Sequence, residues 1–196
     1  KKEVCLLHGI TSSGKTEVYI KLIEQQIKKG KQVLYLLPEI ALTTQIIKRL
    51  QKHFANKVGI THSHLNNSER VEVWKAVQEN NDKKVKHPIM LGARSSLFLP
   101  FSNLGLIIVD EEHDPSFKQH QPAPRYHARD AAIYLANLHK AKVLLGSATP
   151  CVESYYNAKT GKYALVEMHT RYQGIAPPKI QTIDIRKAHL KKQMRC

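Results

Sequence analysis

Gly9-Ile10-Thr11-Ser12-Ser13-Gly14-Lys15-Thr16 stands between a short apolar run, Val4–Leu7, and an amphipathic stretch, Lys15–Lys29, that Gly30 closes. No other feature limits the possible folds as sharply. A glycine-bounded turn after a buried strand, with Lys and Thr on the first turn of a helix, fits G-x-x-x-x-G-K-[ST] in the context the motif requires. Glycines let backbone N–H groups approach an anion closely, and the helix N-terminus adds partial positive charge. Lys15 supplies a point charge for β and γ phosphates, and the Thr16 hydroxyl is a ligand for Mg²⁺. The segment Gly9, Thr11, Ser12, Ser13, Gly14, Lys15 and Thr16 is therefore the candidate binding loop for a nucleoside triphosphate such as ATP.

The rest of the chain alternates in the same way. Strands are predicted at Gln32–Leu37, Val58–Thr61, Ile89–Leu91, Leu106–Asp110, Lys142–Leu145 and Tyr163–Val166. Helices are predicted at Thr43–Phe54, Glu69–Gln78 with Ser68 as its cap, Arg129–Lys140 and Val152–Lys159. Short apolar strands separated by amphipathic helices imply an α/β fold, with a mostly parallel sheet and helices on both faces. Residues 1–168 are read as that domain. Residues 169–196, polar, basic and carrying Pro177-Pro178, are read as a linker.

A phosphate-binding loop of this kind needs an acid on a neighbouring strand. Leu106-Ile107-Ile108-Val109-Asp110 ends an apolar strand in a carboxylate, followed by Glu111, Glu112 and His113. The carboxyl ends of parallel strands are where such folds keep their ligand. Asp110 is the candidate holder of Mg²⁺, and Glu111 the candidate group to orient or deprotonate a water. Gly146-Ser147-Ala148-Thr149-Pro150 ends another apolar strand, where the Ser147 and Thr149 hydroxyls are in a position to bond to the acidic cluster.

Pro115, Pro122 and Pro124 exclude a regular helix or central strand from Asp114–Arg125. That loop and its continuation to His127 mix Phe117, Tyr126, His120 and His127 with Lys118 and Arg125. Aromatics among cations suit base stacking and phosphate contacts. The alternative for Phe117 is a place in the core. The net charge of +15 favours a polyanionic partner, with +9 in residues 1–168 and +6 in the remainder.

Cys5, Cys151 and Cys196 are far apart, with no C-x-x-C pair, so neither a zinc site nor a disulfide framework is indicated. His62-x-His64 has no second ligand pair nearby and reads as loop histidines. Free thiols fit a reducing cytoplasm. The longest apolar runs, such as Leu104–Val109, are too short to cross a bilayer, so no membrane association is expected. Without an initiator Met or a basic-then-apolar leader, the chain reads as a piece of a longer cytoplasmic protein.

Taken in order, these pieces resemble the motor lobe of superfamily-two DEAD/DEAH-like helicases, and more narrowly the bacterial primosomal replication-restart helicases. The likeness is carried by residues 6–19, 36–43, 61–70, 92–98, 104–119, 125–132 and 144–150, above all by the DEEH form with the aromatic loop and RYHARD after it. The resemblance implies a RecA-like lobe that couples Mg·ATP hydrolysis to translocation on single-stranded DNA and unwinding of forks. Under it, Lys15, Asp110 and Glu111 are catalytic, and Glu112, His113, Ser147 and Thr149 couple hydrolysis to movement. The Pro38–Thr43 segment, Arg94, Phe117, Lys118, Arg125 and Tyr126 lie toward single-stranded DNA. Other primosome proteins and a single-stranded-DNA-binding protein are the implied partners. Ser12 stands where the family typically has glycine. The adenine-reading segment, the second lobe with its arginine finger and a zinc module are expected outside this chain, so the chain alone should be poorly active. An RNA-directed or other P-loop ATPase, and a primosome scaffold with a structural ATP site, are the alternatives.

Overall fold

The computed structural model describes residues 2–41, 44–62, 65–78 and 86–174. Thr43 of the expected DNA-facing segment, His64, Cys196 and nearly all of the expected linker lie outside the described residues.

Among the described residues seven strands form one sheet: β1 (Val4–Gly9), β2 (Gln32–Leu36), β3 (Val58–Thr61), β4 (Ile89–Gly92), β5 (Leu104–Asp110), β6 (Lys142–Ser147) and β7 (Ala164–Met168). Their order is β3-β4-β2-β5-β6-β1-β7, and every pairing is parallel. Five helices connect them: α1 (Lys15–Lys28), α2 (Thr44–Phe54), α3 (Asn67–Gln78), α4 (Ala128–Leu138) and α5 (Val152–Lys159).

A parallel sheet needs cover on both faces, and the side chains of each strand alternate between two cores. Leu34, Leu36, Ile107, Val109, Val143 and Leu145 point to one, where they meet Val77 of α3, Ala128, Ala132 and Ala136 of α4, and Ala158 of α5. Val33, Tyr35, Leu106, Ile108 and Leu144 point to the other, against Tyr19, Ile20 and Ile23 of α1 and Leu50 and Phe54 of α2. The run of small residues on α4 lets that helix lie close to the sheet. By the same alternation Asp110 shares a face with Leu106 and Ile108, so its carboxylate is directed toward α1.

Two local expectations are corrected. The cap of α3 is Asn66, not Ser68: Glu69 N–H donates to Asn66 Oδ1 at 2.9 Å, and Asn66 N–H donates to Glu69 Oε2 at 2.8 Å. This reciprocal capping box satisfies two backbone donors at once, which a cap at Ser68 would not do. Helix α4 begins one residue before the predicted Arg129, with His127 as its cap, whose Nδ1 accepts from Arg129 N–H at 3.3 Å.

Candidate nucleotide and coupling site

Three neighbouring strands bring the predicted groups to one edge. Asp110 on β5 is level with Gly146 on β6, and Ser147 on β6 is level with His8 on β1, one residue before the loop. β1 leads into α1 on one face of the sheet and its neighbour β6 into α5 on the other, and an open α/β sheet holds its ligand at such a switch point.

The loop itself is built on two left-handed residues, Ser12 at φ 64° and Gly14 at φ 93°. Gly14 caps α1 without a side-chain hydrogen bond, so the first amides of the helix face outward without intrahelical partners. Lys15 Nζ folds back to donate to Gly9 O at 2.8 Å. Ser13 Oγ is buried with no hydrogen-bond partner among the described residues. Thr11, Ser12, Ser13, Gly14, Lys15, Thr16, Asp110 and Glu111 all border one cleft of about 970 Å³, the size range of small-molecule sites. An orphaned buried hydroxyl, a lysine and unpaired helix amides around one cleft fit a polyphosphate.

Asp110 is held from three sides. Tyr19 Oη donates to Oδ1 at 2.9 Å, Tyr35 Oη donates to Oδ2 at 3.0 Å, and Glu111 N–H donates to Oδ1 at 3.1 Å. Both tyrosines are fully buried and meet edge to face, 5.6 Å between ring centres. Burial, and then the charge of Asp110, hold both phenols well above their usual range, so they remain protonated donors. Burial also raises the Asp110 carboxyl, against the tyrosine hydrogen bonds and the Lys15 charge, which lower it. Glu111 is raised by burial and then by Asp110 beside it, while Lys15 and His113 pull it down. Two partly desolvated carboxylates in series beside one lysine suit a divalent cation. Among the described residues, no group of three His, Cys, Asp or Glu side chains is gathered to hold a metal. Mg²⁺, however, is ordinarily held by one or two carboxylates with water and substrate phosphates.

Glu111 turns out of the strand at φ 50°, so Glu111 and Glu112 go to opposite places. Glu111 stays in the cleft. Glu112 is completely buried, where Cys151 N–H donates to Oε1 at 2.8 Å, and Ser154 Oγ and Arg129 donate to Oε2 at 2.8 and 3.3 Å. This network ties the acidic turn to α4 through Arg129 and to α5 through Cys151 and Ser154. His113 Nδ1 is 2.8 Å from Ser147 Oγ, which accepts from Thr149 N–H at 2.9 Å, and His113 Nε2 is 3.4 Å from Thr149 Oγ1. His113 Nδ1 is also 3.7 Å from Glu111 Oε2. His113, Ser147 and Thr149 are thus one connected unit beside the cleft, and Glu112 anchors a second one beneath it.

The aromatic loop departs from expectation at Phe117. Its side chain is 1% exposed and packs in the core shared with α4, so it presents no face to a base. Phe117 ends a 3-10 turn, Pro115–Phe117, capped by Asp114, and beyond it Lys118 and His127 pair as an antiparallel bridge. Arg94 is a brace here: its guanidinium donates to Ser116 O at 3.0 Å and Lys118 O at 3.1 Å. Tyr126 is partly exposed and meets Phe98, 58% exposed, edge to face at 5.2 Å. Lys118 Nζ donates to Arg125 O at 3.3 Å, and Arg125 itself is exposed.

The residues missed in the sequence are Tyr19, Tyr35, Arg129 and Phe98. Tyr19 and Tyr35 fall at core positions of an amphipathic helix and a buried strand, where a tyrosine reads as bulk. Arg129 lies 17 residues beyond Glu112, on a helix whose packing against the acidic turn no spacing rule shows.

A family model for the DEAD/DEAH box helicases matches residues 1–157. The chain belongs to the DEAD/DEAH box helicase family. Within that family its similarity to replication restart proteins is high. It is 46% identical over 180 residues to replication restart protein PriA of Chlamydia pneumoniae, covering 92% of this chain and 23% of that protein. To PriA of Bacillus subtilis it is 44% identical over 184 residues, 94% of this chain and 22% of that protein. This helicase chain thus spans about a quarter of the length of those relatives. Among solved structures it resembles RecG bound to a three-way DNA junction, with a TM-score of 0.59 at 21% identity, over 96% of this chain and 24% of RecG. It also resembles the Hef helicase domain of Pyrococcus furiosus, with a TM-score of 0.59 at 17% identity, over 88% of this chain and 36% of that one. These likenesses identify the RecA-like helicase fold. No described helix is long and apolar enough to cross a membrane.

Proposed function

We propose that this chain is the ATP-binding motor lobe of a bacterial replication-restart DNA helicase, and that it couples Mg·ATP hydrolysis to movement on single-stranded DNA. One observation carries the reading: Lys15, Thr16, Asp110 and Glu111 converge on a single cleft at the switch point of the sheet, in a chain 44–46% identical to replication restart proteins.

Gly9 through Thr16 hold the polyphosphate, with Lys15 as its counter-charge. Thr16 and Asp110 would hold Mg²⁺, which would supply neutralisation of the phosphate charge when bound. Glu111 accepts the proton of the attacking water, and its desolvated position favours that role. His113, Ser147 and Thr149 carry the state of the cleft along the strand ends, while Glu112, held by Arg129, ties the acidic turn to the helix at the end of the aromatic loop. DNA contacts fall to Tyr126, Arg125 and Lys118 at the exposed side of that loop, with Arg94 bracing it and Phe117 anchoring it. Residues 1–168 form the lobe, and 169–196 lead toward a second lobe that completes the ATP site. The protein works in the cytoplasm on forked DNA with other primosome components and a single-stranded-DNA-binding protein.

Lys15→Ala in the full-length protein tests the reading. It should abolish fluorescent-nucleotide binding and unwinding while leaving DNA binding intact. Retained fork-restart function in that variant would favour a scaffold with a structural nucleotide site. Equal affinity for DNA and RNA strands of one sequence would favour an RNA-capable ATPase.

A further inference from the structure

The tyrosine pair around Asp110 does more than fill the core. A carboxylate offers about four lone-pair positions. Tyr19 Oη and Glu111 N–H occupy both on Oδ1, at 2.9 and 3.1 Å, and Tyr35 Oη occupies one on Oδ2 at 3.0 Å. One position on Oδ2 remains. The donors come from three separate places, α1, β2 and the turn after β5, so they fix the plane of the carboxylate. They are themselves immobile: both rings are fully buried and in edge-to-face contact. The path of Tyr19 crosses β6 where that strand has Gly146, and a Cβ there would lie 1.8 Å from Tyr19 Oη. The clamp is therefore built into three strands and a helix.

Such a carboxylate can approach a metal with a single oxygen or through one water, never with both oxygens. Mg²⁺ accepts this readily, since it demands near-octahedral geometry and keeps several waters. Ca²⁺ is larger and gains from bidentate carboxylates and higher coordination numbers. We infer that Tyr19 and Tyr35 are specificity-determining residues for the divalent cation: by leaving Asp110 one free acceptor position, they favour Mg²⁺ over Ca²⁺ in the nucleotide cleft. The inference rests on the nucleotide reading proposed above and assigns these two residues a role within it.

The test is binding, not turnover. A fluorescent ATP analogue is titrated onto the full-length protein at fixed metal, Mg²⁺ in one series and Ca²⁺ in the other, for the unmodified protein, Tyr19→Phe, Tyr35→Phe and the double variant. Phenylalanine keeps the ring packing, and thermal melts verify the fold. The ratio of Mg²⁺-supported to Ca²⁺-supported affinity should fall at least fivefold in the double variant and by a smaller factor in each single one. Affinity without metal should stay within twofold. If the double variant does not fold, the single variants carry the test alone. A ratio unchanged within twofold in folded variants overturns the inference. Loss of nucleotide binding in Lys15→Ala shows separately that the cleft is the nucleotide site, so failure of the clamp and failure of the site are distinguished.

Discussion

At the scale of single residues, the site depends on groups that look unremarkable in the sequence. Gly146 is one. Its missing side chain is what lets Tyr19 reach Asp110 over β6. Gly146→Ala should destabilise the protein by about 1–3 kcal/mol through overpacking, measured by denaturant unfolding. Combining it with Tyr19→Phe should recover part of that loss, because the closest remaining ring atom is then 2.9 Å from the added methyl rather than 1.8 Å. A strictly additive double variant would show that the two sites are not coupled. Glu111 makes the opposite point, as its place in the cleft is unfavourable for the fold. Its folded-state pKa is raised, first by burial and then by Asp110. Between the ordinary carboxylate range and that raised value the native state holds more protons than the unfolded chain. Stability therefore falls as pH rises through this window, and the full cost is present above it. Glu111→Gln should raise the melting temperature of the nucleotide-free protein at pH 8, with a smaller gain at pH 5, while hydrolysis is lost. An equal gain at both pH values would contradict the assignment. The acidic run was legible as a site because four ionisable groups follow an apolar strand. That its members part company, Glu111 to the cleft and Glu112 to a buried network, was not, because the separation depends on one left-handed residue.

At the scale of elements, periodicity located all seven strands and five helices within a few residues, because a sheet buried on both faces leaves short apolar runs that nothing else explains. Their order in the sheet was beyond reach, since every strand in such a sheet has the same pattern. The proline-rich loop was recognised as irregular, yet its two aromatic roles were not separable, because burial is a tertiary property. The structure buries Phe117 in the core and leaves Phe98, on the neighbouring turn, exposed against Tyr126 of the loop. Phe117→Ala should cost about 3–5 kcal/mol of stability, as expected for a core phenylalanine, and should loosen the loop it anchors. Phe98→Ala should leave stability nearly unchanged, because that side chain is 58% exposed. It should instead weaken binding of single-stranded DNA by about 1–3 kcal/mol if the Phe98–Tyr126 pair stacks a base. Chemical denaturation and oligonucleotide anisotropy on the same two variants separate the effects. The reverse pattern would return the stacking role to Phe117.

At the scale of the whole molecule, net charge acts together with the fact that the chain spans about a quarter of its relatives' length. The chain carries +15, of which +6 lies in residues 169–196. A lobe that grips DNA through phosphates should show a linear fall of log affinity with log salt, about −0.7 per neutralised phosphate on a single strand. Fluorescence anisotropy of a labelled oligonucleotide across a salt series should give a slope of several units for the 196-residue chain. A version ending at Gly174 lacks Lys179, Arg186, Lys187, Lys191, Lys192 and Arg195. If those residues lie on the DNA track, its slope should be shallower by as much as about 4 units, since six contacts at about 0.7 each would be lost. If the slope is unchanged, the track lies on the sheet-edge face beside Arg125 and Lys118, and the basic end of the chain serves another purpose. Binding alone should not produce movement in either version. A trans-acting arginine in such motors is worth about 10³–10⁵ in rate, and a ratchet needs two bodies that close and open. The chain should therefore hydrolyse ATP slowly, with little stimulation by DNA, even where its affinity for the strand is high. Rapid DNA-stimulated turnover by the 196-residue chain alone would mean that the cleft bounded by Lys15, Asp110 and Glu111 is catalytically complete, and that the second lobe proposed above is not needed for hydrolysis.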